Sequence, residues 1–232
     1  MSIRYGAKTI VTDSLISYLD AGNPNSYGGS GTVWNSLSPV LSGNGYWGNR
    51  IYARWMDTTA PTHQTFSAHD KEGLGYFDLS TPHGRLLFED LPENPPPQGD
   101  GTFELNDMTL VVWIRSTNTS GTFFESYDYS STEYFGKFDS TNKYQEAGYG
   151  LSANHYVDTI LRNNIYDYMD GEWHMHEFKG ANLFHNIWRQ ELTFAANTIT
   201  SGAIGIVAVY HKSLSSSESA MNFNALRGRY GI

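Results

Sequence analysis

Residues 202–232, GAIGIVAVYHKSLSSSESAMNFNALRGRYGI, are the stretch that decides the fold. Its first part, residues 203–210, carries no charged side chain, and both faces of an extended segment with this sequence are apolar. Such a pattern predicts a central β-strand covered on both sides. Strict alternation divides its side chains between two faces, with Ile204, Ile206, Ala208 and Tyr210 on one and Ala203, Val207 and Val209 on the other.

The second part of the stretch predicts a short helix. Ser215 and Glu218 have the spacing of a capping box, in which the serine oxygen caps the helix and the glutamate reaches back to the backbone amide of the cap. We expect a helix over about residues 216–226, ended by Gly228, because glycine is the preferred residue just after a helix.

A basic and aromatic tail follows the predicted helix. Arginine and tyrosine are favoured anchors at protein interfaces, so one interpretation is that the tail contacts a partner protein or a symmetry mate. The other interpretation is that it folds back on its own domain. The residues concerned are Arg227, Arg229, Tyr230 and Ile232.

Composition and two further strands indicate an all-β domain. Leu15–Asp20 has the composition of a strand, and in residues 108–115 apolar side chains alternate, with Val111 and Trp113 on the face opposite to Met108. Aromatic residues make up 15% of the chain and charged residues only 17%, a balance that favours strands and loops over a helical bundle. The 232 residues fit one domain, residues 1–232, which is large enough to fold without disulfides or metal ions to stabilise it.

Charge and composition exclude several classes of partner and site. The net charge is −9 and the pI is about 5.3, which argues against a nucleic-acid-binding groove. The chain has no cysteine, so it forms neither disulfides nor thiolate metal sites. No positively flanked apolar run opens the sequence and no apolar run reaches membrane-spanning length, so we expect neither a signal peptide nor a membrane partner.

Several segments, in their order along the chain, resemble concanavalin A-like lectin/glucanase domains of the laminin-G type found in tailed-phage structural proteins. The resemblance rests on YLDAGNPNSY at 18–27, GTVW at 31–34, GEWHMHEF at 171–178, and YHKSLSSSE at 210–218 followed by NFNALRGRYGI at 222–232. The family usually carries an aliphatic residue where this chain has Ser219. That departure predicts one weaker helix contact.

The resemblance implies an antiparallel β-sandwich of the concanavalin A-like, laminin-G jelly-roll type with one short C-terminal helix. It implies that Trp34 and Leu37 belong to the core. It also implies strands at residues 75–79, 85–88 and 171–178, a strand at 122–127 that returns antiparallel after 108–115, and a strand at 183–188.

The function implied by the resemblance is that of a non-enzymatic structural protein of a bacteriophage virion. Such a protein lies on the outside of the particle, where it decorates the capsid or sits on the tail or fibres after assembly in the host cytoplasm. Its expected partners are the major capsid protein or other virion proteins, with copies of the chain arranged as a homo-oligomer or symmetric array.

A glycine- and aromatic-rich stretch supports an alternative function as a carbohydrate-binding lectin module of a tail fibre or adhesin. Trp47, Tyr52 and Trp55 are our candidate ligand-binding residues, because an aromatic face stacks on a sugar ring while polar neighbours bond its hydroxyls. The competing interpretation is that these side chains pack the stretch on the sandwich.

Glycan hydrolysis is a third interpretation, which we disfavour. A glucanase of this superfamily places an acid and a nucleophile on one strand, about 5 Å apart across the glycosidic bond, and no predicted strand has such a spacing. We therefore predict no enzyme activity. The grouped carboxylates suit turns and solubility instead. They are Glu89, Asp90, Glu93, Glu125 and Asp128.

No metal site or cofactor is predicted, although two possibilities arise. Glu172, His174 and His176 share one face of an extended strand and could bind zinc. The alternative is that they form the solvent side of a strand whose other face is core. The resemblance also makes calcium possible, without a recognisable ligand loop. The candidate ligands are Asp13, Asp20, Asp78 and Asp139.

Overall fold

The computed structural model describes residues 4–5, 8–38, 52–55, 62–64, 75–80, 86–89, 108–117, 125–128, 134–138, 144–145, 154–162, 168–181, 190–194 and 201–232. The elements within these residues are β1 (Arg4–Tyr5), β2 (Lys8–Thr9), β3 (Leu15–Asp20), β4 (Val33–Asn35), β5 (Tyr52–Trp55), β6 (Thr62–Gln64), β7 (Tyr76–Asp78), β8 (Leu86–Glu89), β9 (Met108–Ser116), β10 (Glu125–Asp128), β11 (Tyr134–Phe138), β12 (Tyr144–Gln145), β13 (Asn154–Val157), β14 (Ile160–Arg162), β15 (Trp173–Ala181), β16 (Gln190–Phe194), β17 (Gly202–Tyr210) and α1 (Ser216–Tyr230).

The strands form an antiparallel β-sandwich, as predicted. One sheet has eight strands in the order β14-β13-β15-β9-β17-β7-β6, with β3 also paired to β17. The other has seven, in the order β12-β11-β10-β16-β8-β5-β4, and β1 pairs with β2 separately. The buried Trp34 of β4 meets Phe77 of β7 with ring centroids 4.9 Å apart, so the two sheets pack face to face there. Trp34 is core as predicted, and Leu37 packs against the core while partly exposed.

The predicted central strand is confirmed as β17. It pairs along its length with β9, and on its other side with β3 and β7. The strict alternation predicted for its side chains is wrong at one point, because the register shifts between Ile204 and Ile206 and leaves Gly205 as an extra residue. Ala203 therefore joins Ile206 in the core cluster under the helix, and Ile204 lies outside that cluster.

The helix begins where the sequence predicts and ends later. In the capping box the amide of Ser215 donates to Glu218 Oε2 over 2.9 Å, and the amide of Glu218 donates to Ser215 Oγ over 3.3 Å. The predicted end at Gly228 is wrong, because α1 runs to Tyr230 and Gly231 ends it with a φ of 81°. Burial of the last turn outweighs the cost of about 1 kcal/mol for a glycine inside a helix.

Helix α1 packs on the outer face of the eight-stranded sheet through aromatic rings. Tyr230 stacks on Trp113 with centroids 4.5 Å apart and contacts Trp173 at the same distance, while Phe223 stacks on Trp113 at 5.9 Å. Beneath them, a Cβ added at Gly205 would overlap the hydroxyl of Tyr230. The bulged glycine thus lets the helix end approach the sheet closely.

The remaining strand predictions have mixed outcomes. Strands β3, β7, β8, β9 and β15 match predicted segments, and Val111 and Trp113 of β9 lie in the core cluster under the helix as expected. The return strand predicted at 122–127 is wrong in its pairing, because β10 joins the seven-stranded sheet between β11 and β16. The strand predicted at 183–188 lies outside the described residues. None of the helices in the described ranges has the length and apolarity needed to span a membrane.

Candidate functional site

Strand β15 carries three buried polar side chains, those of His176, Glu177 and Lys179. Trp173 and Met175 face the core cluster under α1, as predicted. Glu177 and Lys179 follow on the same face and are buried, although both are charged. Buried charged side chains in proteins are normally paired and hydrogen-bonded, so the role of Glu177 and Lys179 follows from the groups that they contact.

Ser219 of α1 forms a hydrogen bond with each member of this buried pair. Its hydroxyl accepts a hydrogen bond from Lys179 Nζ over 2.6 Å and donates to Glu177 Oε1 over 2.8 Å. Lys179 Nζ also lies 3.7 Å from Glu177 Oε2 and 4.5 Å from the centroid of the Tyr156 ring. The departure from the family residue at position 219 therefore adds a polar contact to the helix, where the sequence comparison predicted a weaker one.

The other face of β15 carries histidines that lie inside the sandwich. His176 is fully buried, so the prediction that it lies on a solvent-facing side is wrong. His176 Nδ1 lies 3.2 Å from Nε2 of His155 on β13, and the His155 ring stacks on Phe178 at 4.8 Å. Burial lowers the pKa of His155 to about 3 and that of His176 well below its ordinary value, so both rings are neutral near pH 7.

His174, at the start of β15, lies between two carboxylates. Its Nδ1 is 2.6 Å from Asp158 Oδ2 in the β13–β14 turn, and its Nε2 is 3.2 Å from Asp170 Oδ1. Burial works to lower the pKa of His174, but the hydrogen bonds and charges of the two aspartates outweigh it and raise that pKa above its ordinary value. Glu172, with which His174 was predicted to share a face, is exposed, and neither aspartate was predicted from the sequence.

The C-terminal tail is divided between the interior and the surface. Arg229 and Tyr230 are 2% and 6% exposed, so the structure corrects their assignment to a partner interface: the tail folds back on its own sandwich. Arg229 is held there by Asp20 of β3 at 2.8 Å, and Tyr230 by the aromatic rings of the sheet. Arg227 and Ile232 are exposed, and a role for them in partner contact stays a prediction.

The aromatic residues proposed to bind sugars are described only in part. Tyr52 and Trp55 are the first and last residues of β5, which pairs with β4 and β8 inside the seven-stranded sheet. Their side chains and all of Trp47 lie outside the description that the structure gives. The structure therefore places the backbone of residues 52–55 and does not test whether these aromatic rings stack on a sugar.

The candidate metal ligands take other partners where the structure describes them. Asp20 pairs with Arg229, Asp13 with Lys212 at 2.6 Å, and Asp78 accepts hydrogen bonds from the amide and hydroxyl of Ser80. The fourth candidate, at position 139, is outside the described residues. Within the described ranges, no three histidine, cysteine, aspartate or glutamate side chains are arranged to hold a metal ion.

Comparison with known proteins gives fold-level likenesses of low similarity. No protein-family model and no curated protein matches the chain. Among solved structures, Trypanosoma rangeli sialidase matches with 12% identity and a TM-score of 0.45, over 100% of this chain and 36% of that one. The binding domain of botulinum neurotoxin DC in complex with SialylT matches with 13% identity and a TM-score of 0.45, over 93% of this chain and 52% of that one.

This chain therefore spans about a third of the length of the sialidase and about half of the toxin domain. TM-scores below 0.5 at such identities define neither a shared ligand nor a shared activity.

Proposed function

We propose that the chain is a carbohydrate-binding β-sandwich module that does not cleave its ligand. The observation that carries the proposal is the place of Tyr52 and Trp55 at the two ends of β5, inside the seven-stranded sheet. In the sequence they belong to the aromatic-rich run of residues 43–55. Helix α1 covers the outer face of the other sheet where β9, β15 and β17 lie, so that area is closed to a ligand.

Two buried carboxylates, Asp20 and Glu177, are unavailable for hydrolysis. A hydrolase needs one carboxyl group to give up a proton and a second to attack or to activate water, both facing the glycosidic bond. Asp20 and Glu177 are enclosed and already engaged by Arg229 and by Lys179 with Ser219. Each therefore serves the packing of α1 on the sheet.

The proposal is tested by presenting the purified chain to an array of immobilised oligosaccharides and polysaccharides. Trp47→Ala and Trp55→Ala should each weaken binding by about tenfold, whereas Trp47→Phe and Trp55→Phe keep a ring and should retain most of the affinity. Mass spectrometry of the recovered glycans should find them intact. A wild-type chain that binds no glycan, or that shortens one, would overturn the proposal.

A role on a phage particle is a second and compatible candidate. It is favoured by the resemblance of the segments at 18–34 and 210–232 to tailed-phage structural proteins, and the ion pair between Asp20 and Arg229 joins these two segments here. The exposed Arg227 and Ile232 at the end of α1 are the proposed contacts with other virion proteins.

Mass spectrometry of gradient-banded particles tests this second candidate. A copy number close to that of the major capsid protein would support capsid decoration, and a few copies per particle would support a tail or fibre position. Absence from purified particles would contradict a virion role and leave the carbohydrate proposal to be judged on the array.

A further inference from the structure

Both ring nitrogens of His174 face carboxylate oxygens. Nδ1 lies 2.6 Å from Asp158 Oδ2, and Nε2 lies 3.2 Å from Asp170 Oδ1. A neutral imidazole carries a proton on one nitrogen only, so in either tautomer the other nitrogen would present its lone pair to a carboxylate. Only the imidazolium form donates to both aspartates at once. The geometry therefore assigns a proton to each nitrogen.

We propose that protonated His174 is a pH-sensitive latch that ties the turn at residues 168–172 to the β13–β14 hairpin and loosens when the ring loses a proton. The inference is independent of carbohydrate binding. It concerns the edge of the eight-stranded sheet that carries β13, β14 and the start of β15.

The two aspartates differ in how firmly the fold holds them. Asp158 also accepts a hydrogen bond from the amide of Met175 over 2.9 Å, which fixes it to β15 without help from the histidine ring. Asp170 has a side chain 51% exposed, and it accepts a hydrogen bond from the amide of Glu172 in its own turn. When His174 is neutral, Nδ1–H keeps the shorter bond to Asp158, so the link to Asp170 is the one released.

The groups around the ring agree with a charged histidine. Asp158 faces it from the hairpin and Asp170 from the turn, while the Tyr168 ring packs edge-on at 5.6 Å. The guanidinium of Arg162 lies beyond, 4.9 Å from the Tyr168 ring centroid. Another histidine, at position 176, lies 6.3 Å away between ring centroids and is neutral because burial lowers its pKa.

The direction of the pH dependence follows from these partners. The two carboxylates raise the pKa of His174 above 6.5, its ordinary value, despite the opposing effect of burial. The latch is therefore fully formed below about pH 6.5 and is lost as the pH rises through the raised pKa. At the acid end it lasts until Asp170 protonates, and the Glu172 amide and His174 together lower the pKa of that carboxyl against the opposing effect of burial.

The test is an NMR titration of the imidazole nitrogens in the full chain between about pH 5 and pH 9. His174 should carry a proton on both nitrogens at about pH 6.5 and should titrate above that pH. Over the same range, the amides of Gly171 and Glu172 should lose hydrogen-exchange protection by about two- to fivefold, as expected for a partly exposed ion pair. Protection is compared after correction for the intrinsic pH dependence of exchange.

Two matched variants separate the latch from a general charge effect. Asp170→Asn keeps the acceptor for the Glu172 amide but removes the charge, so the pKa of His174 should fall. Glu172→Gln removes an exposed carboxylate from the same turn without touching His174 and should leave that pKa in place. A His174 that titrates at or below 6.5, or that responds equally to both variants, would overturn the proposal.

Discussion

Arg229 of α1 donates a hydrogen bond from Nη1 to Asp20 Oδ1 of β3 over 2.8 Å, which joins residues 209 positions apart in the sequence. The two side chains are 1% and 0% exposed, and Nη2 of Arg229 also donates to the Gly75 carbonyl over 3.3 Å. Burial raises the pKa of Asp20 more than Arg229 lowers it. The helix is thus joined to the sheet by a buried ion pair in which each charge is compensated by the other.

Removal of the arginine should therefore be costly. Arg229→Ala leaves the Asp20 carboxyl buried without its cation, and we expect the free energy of unfolding to fall by about 3–5 kcal/mol. Urea denaturation followed by tryptophan fluorescence measures the change. Arg227→Ala, on the exposed side of the same helix turn, is the control and should change stability by less than about 0.5 kcal/mol. Equal losses in the two variants would show that the pair is not what holds the helix.

Gly205 and Gly228 should respond in opposite ways to alanine. Gly205→Ala places a methyl group against the Tyr230 hydroxyl and should cost about 1–3 kcal/mol through overpacking. Gly228→Ala meets open space inside the helix and should stabilise by about 0.5–1 kcal/mol. Thermal unfolding of both variants provides the comparison.

A double mutant tests the cause of the loss at position 205. Tyr230→Phe removes the hydroxyl nearest to the added methyl group, so Gly205→Ala should cost less in that background, with a coupling of at least about 0.5 kcal/mol. Strictly additive effects would locate the strain elsewhere.

Ser219→Ala should destabilise the chain even though it restores an aliphatic residue of the kind found in the resembling family. The substitution removes the hydroxyl between Lys179 and Glu177, and an unsatisfied buried group costs about 1–3 kcal/mol. In the apolar triple variant Glu177→Leu, Lys179→Met, Ser219→Ala, no charge remains buried at this site, so we expect stability close to that of the wild type. Chemical denaturation of both variants measures the two changes in the free energy of unfolding. A neutral single mutant would contradict the assigned role.

The buried histidine pair should make the fold sensitive to acid. His155 has a folded pKa of about 3, below its ordinary 6.5, so its contribution is present above pH 6.5 and is lost as the pH falls toward 3. Each such histidine should steepen the loss of stability by about 1.4 kcal/mol per pH unit below 6.5. Urea unfolding at several values between about pH 5 and pH 7 gives the slope. His155→Phe should reduce the slope, and His211→Gln, at an exposed position, should leave it unchanged.

Local signals were enough to predict the parts of the fold that depend on neighbouring residues. The apolar run that forms β17 and the capping box at Ser215 are encoded within a few positions, and both are confirmed. The end of the helix and the bulge in β17 could not be found in this way. Both depend on Tyr230 meeting Gly205, a contact made only after the helix has folded back across the sheet.

The polar groups were harder to predict for the same reason. Sequence spacing placed His174 beside Glu172, yet its partners are Asp158, sixteen positions away, and Asp170. Arg229 was predicted to be an interface residue because the sequence does not distinguish a buried arginine from an exposed one. The partner that shows its burial, Asp20, is far away in the sequence. The one usable clue was Ser219, whose departure from the family pattern marks the buried network around Glu177.

The central claim is that this sandwich binds carbohydrate without cleaving it, and calorimetric titration with the best glycan from the array tests it most directly. We predict that the wild type binds, that Trp55→Ala weakens binding by about tenfold, and that Trp55→Phe retains most of the affinity. The glycan recovered from the calorimeter after the titration should be intact. Equal affinities for all three chains, or a shortened glycan, would contradict the account.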